Sequence, residues 1–113
     1  MHELGLATGI VEAAVAEGEK HEAGTITAVA IRVGVLRGIV PDALRMYFDL
    51  AAKGTRAEGA ALCIEEEPVL VDCPACGETP APALTLACPA CGRDGVAVRG
   101  GDSLRLISMD IDE

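Results

Sequence analysis

The string Cys-Pro-Ala-Cys-Gly occurs twice in this chain, at 73–77 and again at 88–92, with eleven residues between Cys76 and Cys88. Two Cys-x-x-Cys pairs at this spacing supply four thiolates, the number that closes a zinc tetrahedron at about 2.3 Å per sulfur. The residues around the sulfurs fit that reading. Proline fixes one φ, and glycine lets the backbone turn under the metal so that both sulfurs of a pair aim inward. Two such knuckles face to face form a zinc ribbon. A mononuclear iron site has the same donor set, so iron is the rival metal at this stage, and with it an electron-transfer protein. A closed four-sulfur site has no open coordination position and therefore holds a fold together instead of catalysing a reaction. A thioredoxin-like redox centre would need one pair in a βαβ context. A disulfide framework fits poorly with five cysteines and an N-terminus unlike a secretory signal.

At 113 residues the chain is expected to form one domain, or one domain with a small metal-held lobe. Tyr47 and Phe48 are the only aromatic residues, so the core must come from Ala, Val, Leu and Ile. A stretch as rich in turns as 72–102 needs its metal to fold. Eighteen acidic residues against nine basic ones give a formal charge of −9. Four thiolates around one divalent ion take this to about −11. Nucleic acid is an unsuitable partner for such a surface, which lacks both the basic stripe and the stacking aromatics that phosphates and bases require. No apolar run approaches membrane-spanning length and no lipidation motif is present, so no membrane association and a cytoplasmic location are expected.

Met1-His2-Glu3 is the second feature with chemical content. An α-amine, the amide nitrogen of residue 2 and His2 Nδ1 can close a five- and a six-membered chelate ring around one ion. Three nitrogens in a plane suit Ni(II) or Cu(II), and the fourth position remains for Glu3, water or a partner. An open terminal site exchanges its metal readily. Apolar residues Ala7, Ile10, Val11, Ala14 and Val15 recur at helical intervals from Leu4 to about His21, so the chelate would be mounted on an amphipathic helix. His21, roughly 28 Å further along at 1.5 Å per residue, cannot share the ion and is expected to be solvated.

Residues 25–35 alternate as a strand, with Thr27, Val29, Ile31, Val33 and Val35 on one face. Pro41-Asp42 opens a second helix that carries Leu44, Tyr47, Phe48 and Ala51 and stops at Gly54. A second strand is expected at 61–64, with Cys63 as a small buried hydrophobe and Glu65–Glu67 as a solvated edge. Pro80 and Pro82 make the segment between the knuckles a looped or extended excursion, and a short strand follows at 96–98. The terminal run 104–111 reads as a strand with Ile107, Met109 and Ile111 on one face. The expected fold is α+β: two helices on a small three-stranded sheet formed by 1–68 and 103–113, with a zinc-ribbon lobe inserted at 69–102.

Taken together, Met1-His2-Glu3-Leu4, Gly38 through Pro41-Asp42-Ala43-Leu44 to Phe48-Asp49, Gly54-Thr55 with Glu58-Gly59, Ile64 to Pro68, the cysteine pairs, and Gly101-Asp102-Ser103-Leu104 resemble the HypA/HybF family over essentially the whole chain. That family comprises the nickel-insertion proteins of NiFe-hydrogenase maturation. The resemblance implies a nickel metallochaperone, not an enzyme. It would hold Ni(II) through Met1, His2 and Glu3, and structural Zn(II) through Cys73, Cys76, Cys88 and Cys91. Its partners would be a HypB-type GTPase and the NiFe-hydrogenase large subunit, with a homodimer as a further expectation. Some members also serve urease. Certain relatives take extra ligands from an acid before the second helix or from histidines in the zinc lobe. Here Val40 precedes Pro41 and no histidine follows His21, so those ligands are not expected. The chain has neither a phosphate-cradling Gly-x-x-x-x-Gly-Lys-Ser/Thr loop nor a recognisable nucleophile with its base. The competing reading is an acidic zinc-ribbon adaptor that binds proteins and handles no second metal.

Overall fold

A computed structural model describes residues 2–22 and 24–112, the side chain of His2 excepted. The elements run α1 (His2–Lys20), β1 (Thr25–Gly34), a 3-10 turn (Val35–Arg37), α2 (Pro41–Ala52), β2 (Ala61–Glu67), β3 (Val69–Cys73), β4 (Gly77–Ala81), β5 (Ala97–Gly100) and β6 (Leu104–Asp112). Two three-stranded sheets result, in the orders β2-β1-β6 and β4-β3-β5. The chain divides into two compact units, Met1–Ile31 with Ile39–Glu65 and Arg105–Glu113, and Arg32–Gly38 with Glu66–Leu104.

The first unit is α+β, as its periodicities require. Ala7, Ile10, Val11 and Ala14 of α1 are buried, and so are Leu44, Phe48 and Ala52 of α2. The α1 positions follow the i, i+3, i+4, i+7 pattern and the α2 positions recur every four, which places them on one stripe of each helix. Phe48 is fully buried and is the largest of the fully buried side chains, which also include Ile26, Val29 and Ile31 of β1. Arg45 reaches from the outer face of α2, its Nε donating to the Leu62 carbonyl of β2 at 3.3 Å. Residues inward on β1 change phase between Ile26 and Val29, so Thr27 is exposed instead of buried, its hydroxyl donating to the Asp110 carbonyl of β6.

The second unit is built on β3. It pairs antiparallel with β4, Val69 to Ala81 through Cys73 to Gly77, and with β5, Val69 to Gly100 through Asp72 to Ala97. Val33, Val69, Val71 and Ala81 form its apolar interior together with Cys73 and Cys88. Asp72 and Glu78 lie directly opposite each other, an unfavourable like-charge pair. Arg99 on β5 resolves it: Nε donates to Asp72 at 3.0 Å and an outer nitrogen donates to Glu78.

Two local expectations are corrected, and one open alternative is resolved. Of the looped and extended alternatives for the segment after the first knuckle, the chain takes the extended one as far as Ala81, despite Pro80. Pro80 sits on the edge strand of a sheet ordered β4-β3-β5, where a missing N–H costs least. Val35 opens a 3-10 turn and does not extend the strand. Cys63 is exposed, because Leu62 takes the inward position of β2 and the next residue of a strand must point the other way.

Candidate metal centre

Each knuckle is a sharp reversal set by its own sequence. Cys73 ends β3 and pairs with Gly77, the first residue of β4, so the chain reverses across Cys73-Pro74-Ala75-Cys76. Gly77 has φ +79°, a conformation that only glycine adopts without strain. The second knuckle repeats the solution. Gly92 N donates to the Cys88 carbonyl at 2.8 Å, Cys88 N donates to the Arg93 carbonyl at 2.9 Å, and Gly92 has φ +78°. A single bridge between Ala87 and Asp94 closes the loop behind it.

Cys73, Cys76, Cys88 and Cys91 are thereby brought together, their sulfurs all within 4.8 Å of one another. Cys73 Sγ and Cys91 Sγ stand 3.7 Å apart. A tetrahedron of sulfurs about 2.3 Å from a central zinc has an edge of about 3.8 Å, whereas a disulfide would need about 2.05 Å. The donor set, its number and its spacing therefore fit a structural zinc site. Cys63 is not a member of the cluster.

The first cysteine of each knuckle differs from the second. Cys73 and Cys88 are buried, while Cys76 and Cys91 are exposed. The backbone N–H groups of Cys76 and Ala75 point at the Cys73 sulfur and hold its thiol below the ordinary range, against the opposing effect of burial. In the same way the N–H groups of Cys91 and then Ala90 bring Cys88 down to about 7. Cys76 is pushed up to about 12, first by sharing its proton with the sulfurs of Cys91 and Cys88. The backbone donors thus favour the thiolate form at the two buried sulfurs, the form in which cysteine ligates a metal.

The other expected metal residues lie at the start of α1. Met1 and the side chain of His2 fall outside the described residues, while the backbone of His2 is the first turn of the helix. Glu3 is half-buried and its carboxylate accepts a hydrogen bond from Val40 N at 3.5 Å. Val40 is the N-cap of α2 and has no side chain able to cap it, so an acid from α1 supplies charge at that helix end. This contact was not legible from the sequence, since nothing near Val40 names a partner 37 residues away. His21 is exposed as expected, with Nε2 3.7 Å from Glu17. No helix is long and apolar enough to cross a membrane among the described residues.

Comparison with known proteins adds an independent line. Residues 1–111 match the family model described as hydrogenase/urease nickel incorporation, metallochaperone, hypA. The hydrogenase maturation factor HypA of Chloroflexus aggregans is 45% identical over 115 residues, covering 97% of this chain and 98% of the relative. The protein of the same name from Synechococcus sp. is 39% identical, covering 98% and 99%. Among solved structures, the Ni metallochaperone HypA from Helicobacter pylori superposes with a TM-score of 0.66 at 20% identity, over 96% of each chain. A second solution structure of a HypA protein reaches 0.69 at 22% identity, over 98% and 96%.

Proposed function

The chain belongs to the HypA family of hydrogenase and urease nickel-incorporation metallochaperones, and from that premise we propose that it carries Ni(II) on Met1, His2 and Glu3 and releases it during NiFe-hydrogenase maturation. It is a metallochaperone and not an enzyme. In this reading Cys73, Cys76, Cys88 and Cys91 hold zinc permanently, and the ribbon 69–102 is a domain separate from the nickel-carrying part, 1–68 with 103–113. The partners are a HypB-type GTPase and the hydrogenase large subunit, self-association gives a homodimer, and the location is cytoplasmic.

The observation that carries the reading is a family match that begins at residue 1 and so includes Met1-His2-Glu3. The chemistry supports it. Nitrogen donors at a chain end form an open, tetragonal site of the kind Ni(II) favours, and such a site gives up its ion more easily than a closed cage. Glu3 stands beside that terminus with its carboxylate held at the start of α2, so its charge is fixed in place before any ion arrives.

The test separates the two metals. In the untagged protein, changing His2→Ala or adding two residues ahead of Met1 abolishes nickel binding in calorimetry and leaves zinc content and circular dichroism unchanged. Equal nickel affinity in either variant refutes the assignment and leaves a zinc-ribbon adaptor. Amine and imidazole ligate only when deprotonated, with unperturbed pKa values of about 7.7 to 8.0 and about 6.5, so nickel dissociates as pH falls toward about 6. Colour distinguishes the ribbon's metal, because an iron form is red and a zinc form colourless.

A further inference from the structure

The two halves of the four-cysteine cluster differ in accessibility, and the difference follows the repeat. Cys73 and Cys88 are 4% and 2% exposed. Cys76 and Cys91, the second cysteine of each knuckle, are exposed residues. The side of the cluster open to a dissolved reagent is therefore the last cysteine of each repeat, one from each knuckle.

We propose that Cys76 and Cys91 form an oxidation site for hydroperoxides, and that their joining into a disulfide opens the ribbon's metal site. The inference rests on the zinc reading above. One thiolate of the pair attacks the terminal oxygen of the peroxide. The O–O bond breaks, its electron pair leaves on the other oxygen, and that oxygen takes a proton to become water or an alcohol. The sulfenic acid left on the first sulfur is attacked by the second thiolate, the S–O bond breaks, and hydroxide leaves to be protonated to water. Two sulfurs together lose two electrons and the peroxide gains two. Zinc does not change oxidation state. The sulfurs already lie within 4.8 Å, so reaching the disulfide length of about 2.05 Å needs a closure of under about 3 Å. Cys73 and Cys88 alone cannot complete a tetrahedron, and the metal leaves.

The experiment uses the full-length, zinc-loaded Cys63→Ser protein, which removes the exposed thiol outside the cluster, with the parent protein run beside it. Zinc content is measured first. Hydrogen peroxide is then titrated in, zinc release is followed with a colorimetric indicator, and free thiols are trapped for peptide mass spectrometry. One zinc is released per disulfide, the first crosslink found is Cys76 to Cys91, reductant restores zinc binding, and iodoacetamide without peroxide labels Cys76 and Cys91 ahead of Cys73 and Cys88. The inference is overturned by a first disulfide that contains Cys73 or Cys88, by zinc loss without a disulfide, by zinc retained after the Cys76–Cys91 bond has formed, or by no reaction with peroxide. Protein that holds no zinc before peroxide is added defeats the zinc reading itself, and the first measurement tells these failures apart.

Discussion

Gly34→Ala and Gly9→Ala are the same chemical change with opposite expected signs. Gly34 has φ −69° and ψ 140°, an ordinary extended conformation, so alanine there meets no backbone strain of its own. Its Cβ would nevertheless stand 2.1 Å from the Gly101 carbonyl carbon and oxygen and 2.4 Å from Asp102 N. Unbonded heavy atoms settle at about 3.5 to 4.0 Å, so the two backbones must separate by more than about 1 Å. Three hydrogen bonds cross that junction: Gly34 N to Ser103 O at 2.7 Å, Leu36 N to Gly101 O at 2.7 Å, and Arg37 Nε to Asp102 O at 2.9 Å. Losing them costs about 0.5 to 1.5 kcal/mol each, and forced overpacking adds about 1 to 3 kcal/mol. The reduced entropy of the unfolded chain returns only about 0.4 to 1 kcal/mol. Gly34→Ala is therefore expected to destabilise by about 3 to 6 kcal/mol, a large part of the total for a small domain. At Gly9, inside α1, the added Cβ meets nothing within 4 Å, and helix propensity gives a gain of about 0.5 to 1 kcal/mol. Urea unfolding of the zinc-loaded proteins, followed by circular dichroism, measures both. A Gly34→Ala protein within about 1 kcal/mol of the parent would refute the close approach of the two backbones.

Truncating Phe48→Ala empties the centre of the first unit, where this side chain is fully buried, and is expected to cost about 3 to 5 kcal/mol in the same urea assay. Glu3→Gln keeps the shape of the side chain but removes its charge from the start of α2, and is expected to lower stability by about 0.3 to 1 kcal/mol without loss of fold or zinc, measured by thermal unfolding with metal analysis.

What could be read from the sequence depended on how local the signal was. The knuckles were fully legible because Pro, Gly and both cysteines of each sit within five residues, and the structure uses them as one turn with a positive-φ glycine at its end. Helices α1 and α2 were legible for the same reason, as the 3.6 period repeats within each segment. Strand β4 was obscured by Pro80, which reads as a breaker until β4 is known to be an edge. The error at Cys63 was avoidable, since period two makes Cys63 face opposite to Leu62 and Ile64 and only one of those faces can be inward. The contacts of Gly34 with Gly101 and of Glu3 with Val40 join residues 67 and 37 positions apart. Neither leaves a pattern in a single sequence.

The composition of the second unit explains why it needs a metal and why that metal must be kept apart from a transferable one. Its apolar interior amounts to Val33, Val69, Val71 and Ala81, with the rest contributed by Cys73 and Cys88 themselves. A core that small cannot order three short strands and two knuckles, whereas structural zinc contributes roughly 10 to 16 kcal/mol. Affinity order does not protect such a site from nickel, because the divalent series places Ni(II) close to Zn(II), so discrimination has to come from geometry and donor type. Four sulfurs within 4.8 Å of one another, one pair of them 3.7 Å apart, suit zinc, and planar nitrogens at the chain's start, on the proposed assignment, suit nickel. Excess Ni(II) should therefore fill the nitrogen site and leave zinc content unchanged over hours. If nickel displaced zinc stoichiometrically at neutral pH, the two donor sets would not be distinct in practice, and the division between a structural metal and a carried one would have no physical basis in this chain.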